Sequence, residues 1–118
     1  MATVTDTVRA GAFIVSEANG TRARSTQEFD STTDWAGDAI PVGQVYAIVS
    51  GDAVAFDGDG VDGSEVAAGI TYDGVSSGET ATVTVIDGDA EVAISYLTYD
   101  ATDAEVIAAL AAIGIKTR

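Results

Sequence analysis

Carboxylates are the residues of this sequence with the clearest capacity for chemistry, and several of them are concentrated in one loop. The chain has 19 Asp and Glu, and residues 57–65 read DGDGVDGSE. Acidic side chains at alternating positions of a glycine-containing loop are typical of an EF-hand calcium site. The register fails, however, because counting from Asp57 places Val61 fifth, Asp62 at the glycine position and Ala68 twelfth. We therefore interpret the segment as a series of Asp-Gly turns and predict no metal site.

Other chemistry is restricted by the residue types that the sequence lacks. It has no Cys and no His, which excludes disulfides, zinc sites built on those residues, Ser–His triads and thiol nucleophiles. The one Lys is residue 116, so a phosphate-binding glycine loop with its Lys is absent. A glycosidase pair of carboxylates stays open, but no feature of the sequence would raise the pKa of either acid. We predict that the protein is not an enzyme and has no cofactor.

The charge of the chain is large and unevenly distributed. Five Lys and Arg against 19 Asp and Glu give a net charge of −14 at pH 7. Residues 25–115 contain 17 acids and no base, so every base lies near one end of the sequence: Arg9, Arg22, Arg24, Lys116 and Arg118. An acidic body repels phosphates and anionic lipid, which predicts no nucleic-acid and no membrane partner. The basic ends either suit an acidic protein partner or arise by chance.

A single Lys together with 13 Asp is also typical of proteins that work in molar salt. The Debye length falls to about 3 Å at 1 M salt, which screens the self-repulsion of an acidic domain. Adaptation to high salt is therefore a further hypothesis.

The first residues of the chain lack an apolar anchor larger than Val and predict a flexible arm over residues 1–12. They have no basic start followed by an apolar run, so we expect no secretory signal. Their β-propensity is nevertheless high, at Thr3, Val4, Thr5, Thr7 and Val8. Such an arm could add as a strand to the edge of another chain's sheet, or it could be a frayed terminus without a role.

Residues 13–118 predict a mixed α/β, β-rich small single domain with several short strands and hairpins and one C-terminal helix. Apolar or alternating runs predict strands over 12–16, 26–29, 44–49, 53–56, 66–72, 81–86 and 90–95. We expect two hairpins, one joining 44–49 to 53–56 and one joining 81–86 to 90–95. Residues 30–39 predict a loop anchored by Trp35, and residues 115–117 a short extended tail.

The helix is predicted from its start signal and its apolar face. Thr102 and Glu105 have the spacing of a capping box, in which each side chain accepts a hydrogen bond from the other's backbone N–H. Four apolar residues then fall on one face, Val106, Ile107, Leu110 and Ile113, and Gly114 ends the helix. This face predicts packing against the core.

Three segments of the sequence resemble motifs of a known protein family. Residues 9–24 read RAGAFIVSEANGTRAR, residues 62–70 read DGSEVAAGI and residues 89–92 read DAEV. In this order, they resemble the motifs of the tailed-phage head decoration protein family, which is related to the lambda decoration protein. The sequence departs from the family at Gly88, where a basic residue is usual, and it keeps little of the pattern over residues 25–43.

The resemblance implies a trimer-forming decoration-protein fold on the outer surface of the virion, made in the host cytoplasm. Three copies would cap a threefold position of the expanded head, bind the major capsid protein through the arm and stabilise the shell against the pressure of packed DNA. On this basis the capsid-binding residues are Thr3, Val4, Thr5, Thr7, Val8, Arg9, Phe13, Arg22 and Arg24. The alternative is an acidic extracellular β-domain that binds calcium or carbohydrate, which only the Asp-Gly loops support.

Overall fold

A computed structural model describes residues 13–17 and 24–118, and it contains two sheets and one helix of more than one turn. The elements in chain order are β1 (Ile14–Glu17), β2 (Arg24–Asp30), α1 (Ser31–Asp34), β3 (Val45–Val49), β4 (Asp52–Ala55), β5 (Gly69–Thr71), β6 (Thr80–Ile86), β7 (Ala90–Val92), a 3-10 turn (Ile94–Tyr96), α2 (Asp103–Ala111) and β8 (Ile115–Thr117). The predicted β-rich domain with a C-terminal helix is confirmed.

The larger sheet has five antiparallel strands in the order β2-β6-β5-β3-β4. Its longest pairing joins β2 to β6 from Arg24 opposite Ile86 to Asp30 opposite Thr80. The predicted hairpin of β3 and β4 is confirmed, and Ser50 and Gly51 form its turn with φ of 54° and 87°. Positive φ at both central residues matches the right-handed twist of the paired strands, which is why a glycine suits this turn.

The outer strands of this sheet, β2 and β4, approach each other, so the sheet curls towards a barrel. Helix α1, which replaces part of the predicted loop, contacts both β2 and β4 at this seam. The Asp30 carboxylate caps its start by accepting hydrogen bonds from the backbone N–H of Thr32 and Thr33. The Trp35 indole then donates to the Ala53 carbonyl of β4 at 3.1 Å. A short helix and one aromatic side chain thus connect the two edges.

The smaller sheet has the order β1-β7-β8, with β7 antiparallel to β1 and parallel to β8. The predicted hairpin between 81–86 and 90–95 is therefore wrong. Strand β6 already has β2 and β5 on its two sides, so it has no free edge for the segment that follows it. The chain turns at Asp89, whose φ is 45°, and Ala90–Val92 crosses to the second sheet.

Two apolar clusters hold the fold together. One lies inside the curled sheet, where the rings of Phe29 and Tyr46 meet edge to face at 5.0 Å. The other joins the two sheets and α2, and its fully buried side chains include Phe13, Ile86, Val92, Leu110 and Ile115. The smaller sheet is thus fixed to the larger one through a shared core.

Helix α2 has the predicted capping box, with both reciprocal hydrogen bonds between Thr102 and Glu105. Gly114 follows the helix with a φ of 85°. The predicted apolar face is only partly buried, because Val106 and Leu110 are enclosed whereas Ile107 is 42% exposed. The tail predicted after Gly114 forms strand β8.

Candidate functional site

Most of the predicted capsid-binding residues lie outside the described residues. These are Thr3, Val4, Thr5, Thr7, Val8, Arg9 and Arg22, and the predicted arm over residues 1–12 lies there as well. The structure describes the other two, Phe13 and Arg24, and shows what each of them contacts.

Phe13 is a core residue, with no exposed surface. Its side chain packs in the cluster between the sheets, and its carbonyl accepts a hydrogen bond from the Ala93 N–H at 2.7 Å. Strand β1 then pairs Ile14 with Val92, with an irregularity before Ser16. The side chain therefore anchors the beginning of β1, and the predicted direct contact of Phe13 with a shell stays a prediction.

Arg24 begins β2 and is partly buried. Its guanidinium lies 4.3 Å from the centroid of the Tyr72 ring, within the range of a cation–π interaction. The contact fixes the position of this charge on the curled sheet, and its role as a partner for capsid carboxylates stays a prediction.

The two strands nearest the ends of the sequence share the smaller sheet. Ile14 of β1 and Thr117 of β8 lie on either side of Val92, so the beginning of β1 and the end of β8 are at the same end of the sheet. Lys116 is exposed on β8, and the Arg118 Nε lies 2.6 Å from the Glu91 Oε2. The fold thus brings the two C-terminal bases into the same sheet as the strand that begins the described chain, with β7 between them.

The acidic loop over residues 57–65 uses its carboxylates to support its own turns. Asp57 accepts a hydrogen bond from the Asp59 N–H, and Glu65 accepts one from the Gly63 N–H. Asp62 accepts from both the N–H and the hydroxyl of Ser64, and these hydrogen bonds lower the pKa of the Asp62 carboxyl. Within residues 13–17 and 24–118, no three acidic side chains are placed to hold a metal ion.

A second acidic group lies at the seam of the curled sheet, around a cleft of about 170 Å³ that Asp30, Asp34 and Asp52 line. Hydrogen bonds from Thr33 lower the pKa of Asp30. The pKa of Asp34 is raised by loss of hydration, with the charges of Asp52 and Asp30 adding to the effect. The carboxylate of Asp30 is already occupied in capping α1, so the arrangement serves the fold at this point.

No helix of the described residues is long and apolar enough to cross a membrane. The described acids belong to a small domain with a curled sheet and a second sheet that contains the first and the last of the described strands.

Comparison with known protein families gives a match that is compatible with this fold. The family model described as bacteriophage lambda head decoration protein D matches residues 3–115, nearly the whole chain. The chain belongs to that family. Head decoration proteins are structural proteins of the virion capsid, so a capsid decoration role and a place on the phage head follow from membership. A search of curated proteins found no significant match.

The sequence predicts only a short extended tail over residues 115–117, where the structure has strand β8. Residues 115–117 are an apolar, a charged and a β-branched residue that follow a glycine, and this pattern is typical of a short strand. The sequence pattern also predicts that Ile107 belongs to the core face of α2, whereas in the structure its side chain is exposed beside β8.

Proposed function

We propose that this head decoration protein is a cement for the expanded head. Three copies form a homotrimer that binds the major capsid protein on the outer surface at threefold positions and stabilises the shell against the internal pressure of DNA. In this proposal residues 1–12 act as an arm that adds as a strand to the sheet of a capsid subunit.

The observation that carries the proposal is the anchoring of Phe13. Its buried ring and the pairing of β1 with β7 tie the beginning of the described chain to the core. Force applied to the preceding residues would therefore reach the core directly through one side chain and one sheet. A rigid anchor behind a β-prone segment is what a strand-adding arm needs in order to hold a shell.

Charge supports the same orientation. Lys116 lies on the last strand of the sheet to which the arm is joined, and Arg118 follows it directly. That sheet also contains Glu17 and Glu91, whereas most of the 17 acids of residues 25–115 lie outside it. In our proposal the sheet with the bases faces the shell and the acidic surface faces solvent, where like charges keep decorated particles apart.

The trimer would compensate for the weak binding of a single arm. Ordering a segment of about ten residues on docking opposes binding by roughly 1–2 kcal/mol per residue of lost backbone entropy. Three arms linked in one trimer raise the effective concentration of the second and third contacts, which increases the overall affinity without any new contact.

Binding to undecorated expanded shells of the phage that encodes the protein tests the proposal. We expect a variant without residues 1–8 to lose at least about 100-fold in apparent affinity, because it lacks the strand. Arg9→Ala, Arg22→Ala and Arg24→Ala should each reduce affinity much less, since an exposed ion pair contributes only about 0.2–1 kcal/mol.

A second test variant has Pro in place of both Val4 and Val8, which removes two backbone N–H donors from the arm. Its matched control has Thr at the same two positions, which keeps the β-propensity of the arm. Full occupancy by the shortened or the Pro variant would contradict the arm. Calorimetry of shells with and without the wild-type protein tests stabilisation directly, and an unchanged shell melting temperature would contradict the cementing role.

Adaptation to high salt is a separate part of the proposal, supported by the net charge of −14. Screening at about 1 M salt removes most of the repulsion among exposed acids, so the protein should melt at a higher temperature in molar KCl than in dilute buffer. Equal melting temperatures in the two solutions would contradict it.

A further inference from the structure

A groove between α2 and β8 is lined by apolar side chains that the core does not cover. Its volume is about 490 Å³, and its lining residues are Ile107, Ala111, Gly114, Ile115, Lys116 and Thr117. Ile107 is 42% exposed, although its neighbour Val106 is fully buried. The groove therefore offers an apolar wall on the helix and a strand on its other side.

The strand on that side, β8, has one edge without a partner among the strands that the structure describes. Among the described strands β8 pairs only with β7. Arg118 donates its N–H to the Val92 carbonyl at 2.9 Å and accepts from the Ile94 N–H at 3.1 Å. Since alternate residues of a parallel strand direct their backbone groups to opposite sides, Ile115 and Thr117 direct theirs away from β7. A row of backbone donors and acceptors thus borders the apolar wall.

The charge at the groove differs from that of most of the molecule. Lys116 is exposed and lines the groove, while Arg118 is paired with Glu91. A chain with a net charge of −14 repels an acidic peptide over most of its surface, and this groove supplies a local cation instead. Extended backbone, small apolar side chains and a carboxylate are the properties that would fit it.

Resting on the function proposed above, we infer that the groove binds an extended segment of the major capsid protein, which adds as a strand to the edge of β8. Small apolar side chains of the segment contact Ile107 and Ala111, and one of its carboxylates lies near Lys116. The location supports the capsid subunit as the occupant, because β1 and β8 belong to one sheet, about 10 Å apart. Shell contacts of the arm and of the groove would then lie at the two edges of one small sheet.

A second copy of the chain fits the groove less well. Pairing of β8 with β8 would be an isologous, twofold contact, which does not generate a closed threefold ring. Each copy also carries a net charge of −14, which opposes close approach in dilute buffer.

Two substitutions on the same helix test the groove. Ile107→Glu places a charge on the apolar wall, whereas Ala108→Glu adds the same charge at an exposed position of α2 that does not line the groove. We expect Ile107→Glu to weaken binding to undecorated expanded shells about tenfold or more and Ala108→Glu to bind within about twofold of wild type. Equal binding by both variants overturns the inference.

Hydrogen exchange of the wild-type protein needs no variant and tests the strand edge itself. The amides of Ile115 and Thr117 should exchange several-fold more slowly on shells than in the free protein, because the added strand accepts from them. Unchanged exchange in residues 114–118 on fully decorated shells overturns the inference. A second result would also overturn it: exchange of these amides that is already slow in the free protein, and that Ile107→Glu makes fast while also abolishing self-association. The occupant of the groove would then be a second copy of the chain.

The two proposals fail in different ways. Wild-type protein that does not bind shells contradicts the cementing function and the groove together. Wild-type binding that survives Ile107→Glu but is lost without residues 1–8 contradicts the groove alone.

Discussion

The two sheets of this head decoration protein differ in how far the outer strands of each are covered by other described parts of the chain. The five-stranded sheet curls until β2 and β4 approach, and Trp35 connects them by donating to Ala53. The three-stranded sheet leaves β1 and β8 as outer strands within the described chain. Open strand edges are binding sites for further strands, and a curled sheet presents fewer of them. This difference is why our proposal assigns attachment to the smaller sheet.

Charge is also distributed unevenly between the two sheets. Lys116 and Arg118 lie at the smaller sheet, whereas the acidic cleft of Asp30, Asp34 and Asp52 lies at the seam of the larger one. The strands of the smaller sheet also contain Glu17 and Glu91, so this sheet combines both signs of charge, whereas the charged side chains of the cleft at the seam are all acidic. A domain with cations on one part of an otherwise acidic surface can be soluble and still attract one face of a partner.

The largest effect should come from the side chain that anchors the smaller sheet. Phe13 and Phe29 are both fully buried, one in each apolar cluster. Phe13→Ala and Phe29→Ala should each lower the free energy of unfolding by about 3–5 kcal/mol, measured by urea denaturation. Val15→Ala, at a side chain that is 46% exposed, is the control and should change it by less than about 1 kcal/mol. A Phe13→Ala variant as stable as the control would mean that the smaller sheet is not held by the shared core.

Local signals predicted the elements of the fold better than their partners. The β3–β4 hairpin and the capping box of α2 depend on residues close in sequence, such as Ser50 with Gly51 and Thr102 with Glu105. The partner of β7 depends on which edges are free after β6 has paired on both sides, and this is a long-range property. Pattern also placed Ile107 in the core, although only packing against β8 decides how far its side chain is covered.

The sequence identified the family through its motifs, and the match over residues 3–115 confirms it. It could not identify the groove, because the groove is made by a helix and a strand whose contact is set by the turn at Gly114. Of the predicted site residues, Phe13 is fully buried in the core. Its residue type already favoured this, since Phe is among the residues most often buried.

A smaller effect should come from the start of α2, the helix that packs beside the smaller sheet. Thr102→Ala removes the hydroxyl that accepts from the Glu105 N–H and should lower the free energy of unfolding by about 1 kcal/mol. Thr102→Ser keeps the acceptor and should restore nearly all of that stability. If the two variants are equally stable in urea denaturation, the capping box contributes nothing and α2 is held by packing alone.

The pH dependence should separate two acids that lie on opposite sides of their ordinary pKa of 3.8. The pKa of Asp62 is lowered by hydrogen bonds from Ser64, so its stabilisation is present above about pH 4 and is lost as the pH falls through the lowered folded pKa. The pKa of Asp34 is raised, first by loss of hydration, so its charged form opposes folding and protonation relieves this at low pH.

Asp62→Asn should therefore flatten the loss of stability below pH 4, and Asp34→Asn should steepen it while stabilising the protein at neutral pH. Urea denaturation at pH 3 and pH 6 measures both effects. Changes of the same sign in the two variants would contradict the opposite environments of these carboxyls.

The smallest effect should come from the ion pair that joins the end of β8 to β7. The Arg118 Nε lies 2.6 Å from the Glu91 Oε2, but the Arg118 side chain is 67% exposed. Solvent and salt screen such a pair, so Arg118→Ala should lower the free energy of unfolding by no more than about 0.2–1 kcal/mol. The backbone hydrogen bonds of Arg118 to Val92 and Ile94 remain in the variant, and they hold β8 in register. A loss well above that range, which persists in molar KCl, would show that the edge of the smaller sheet depends on charge rather than on its backbone ladder.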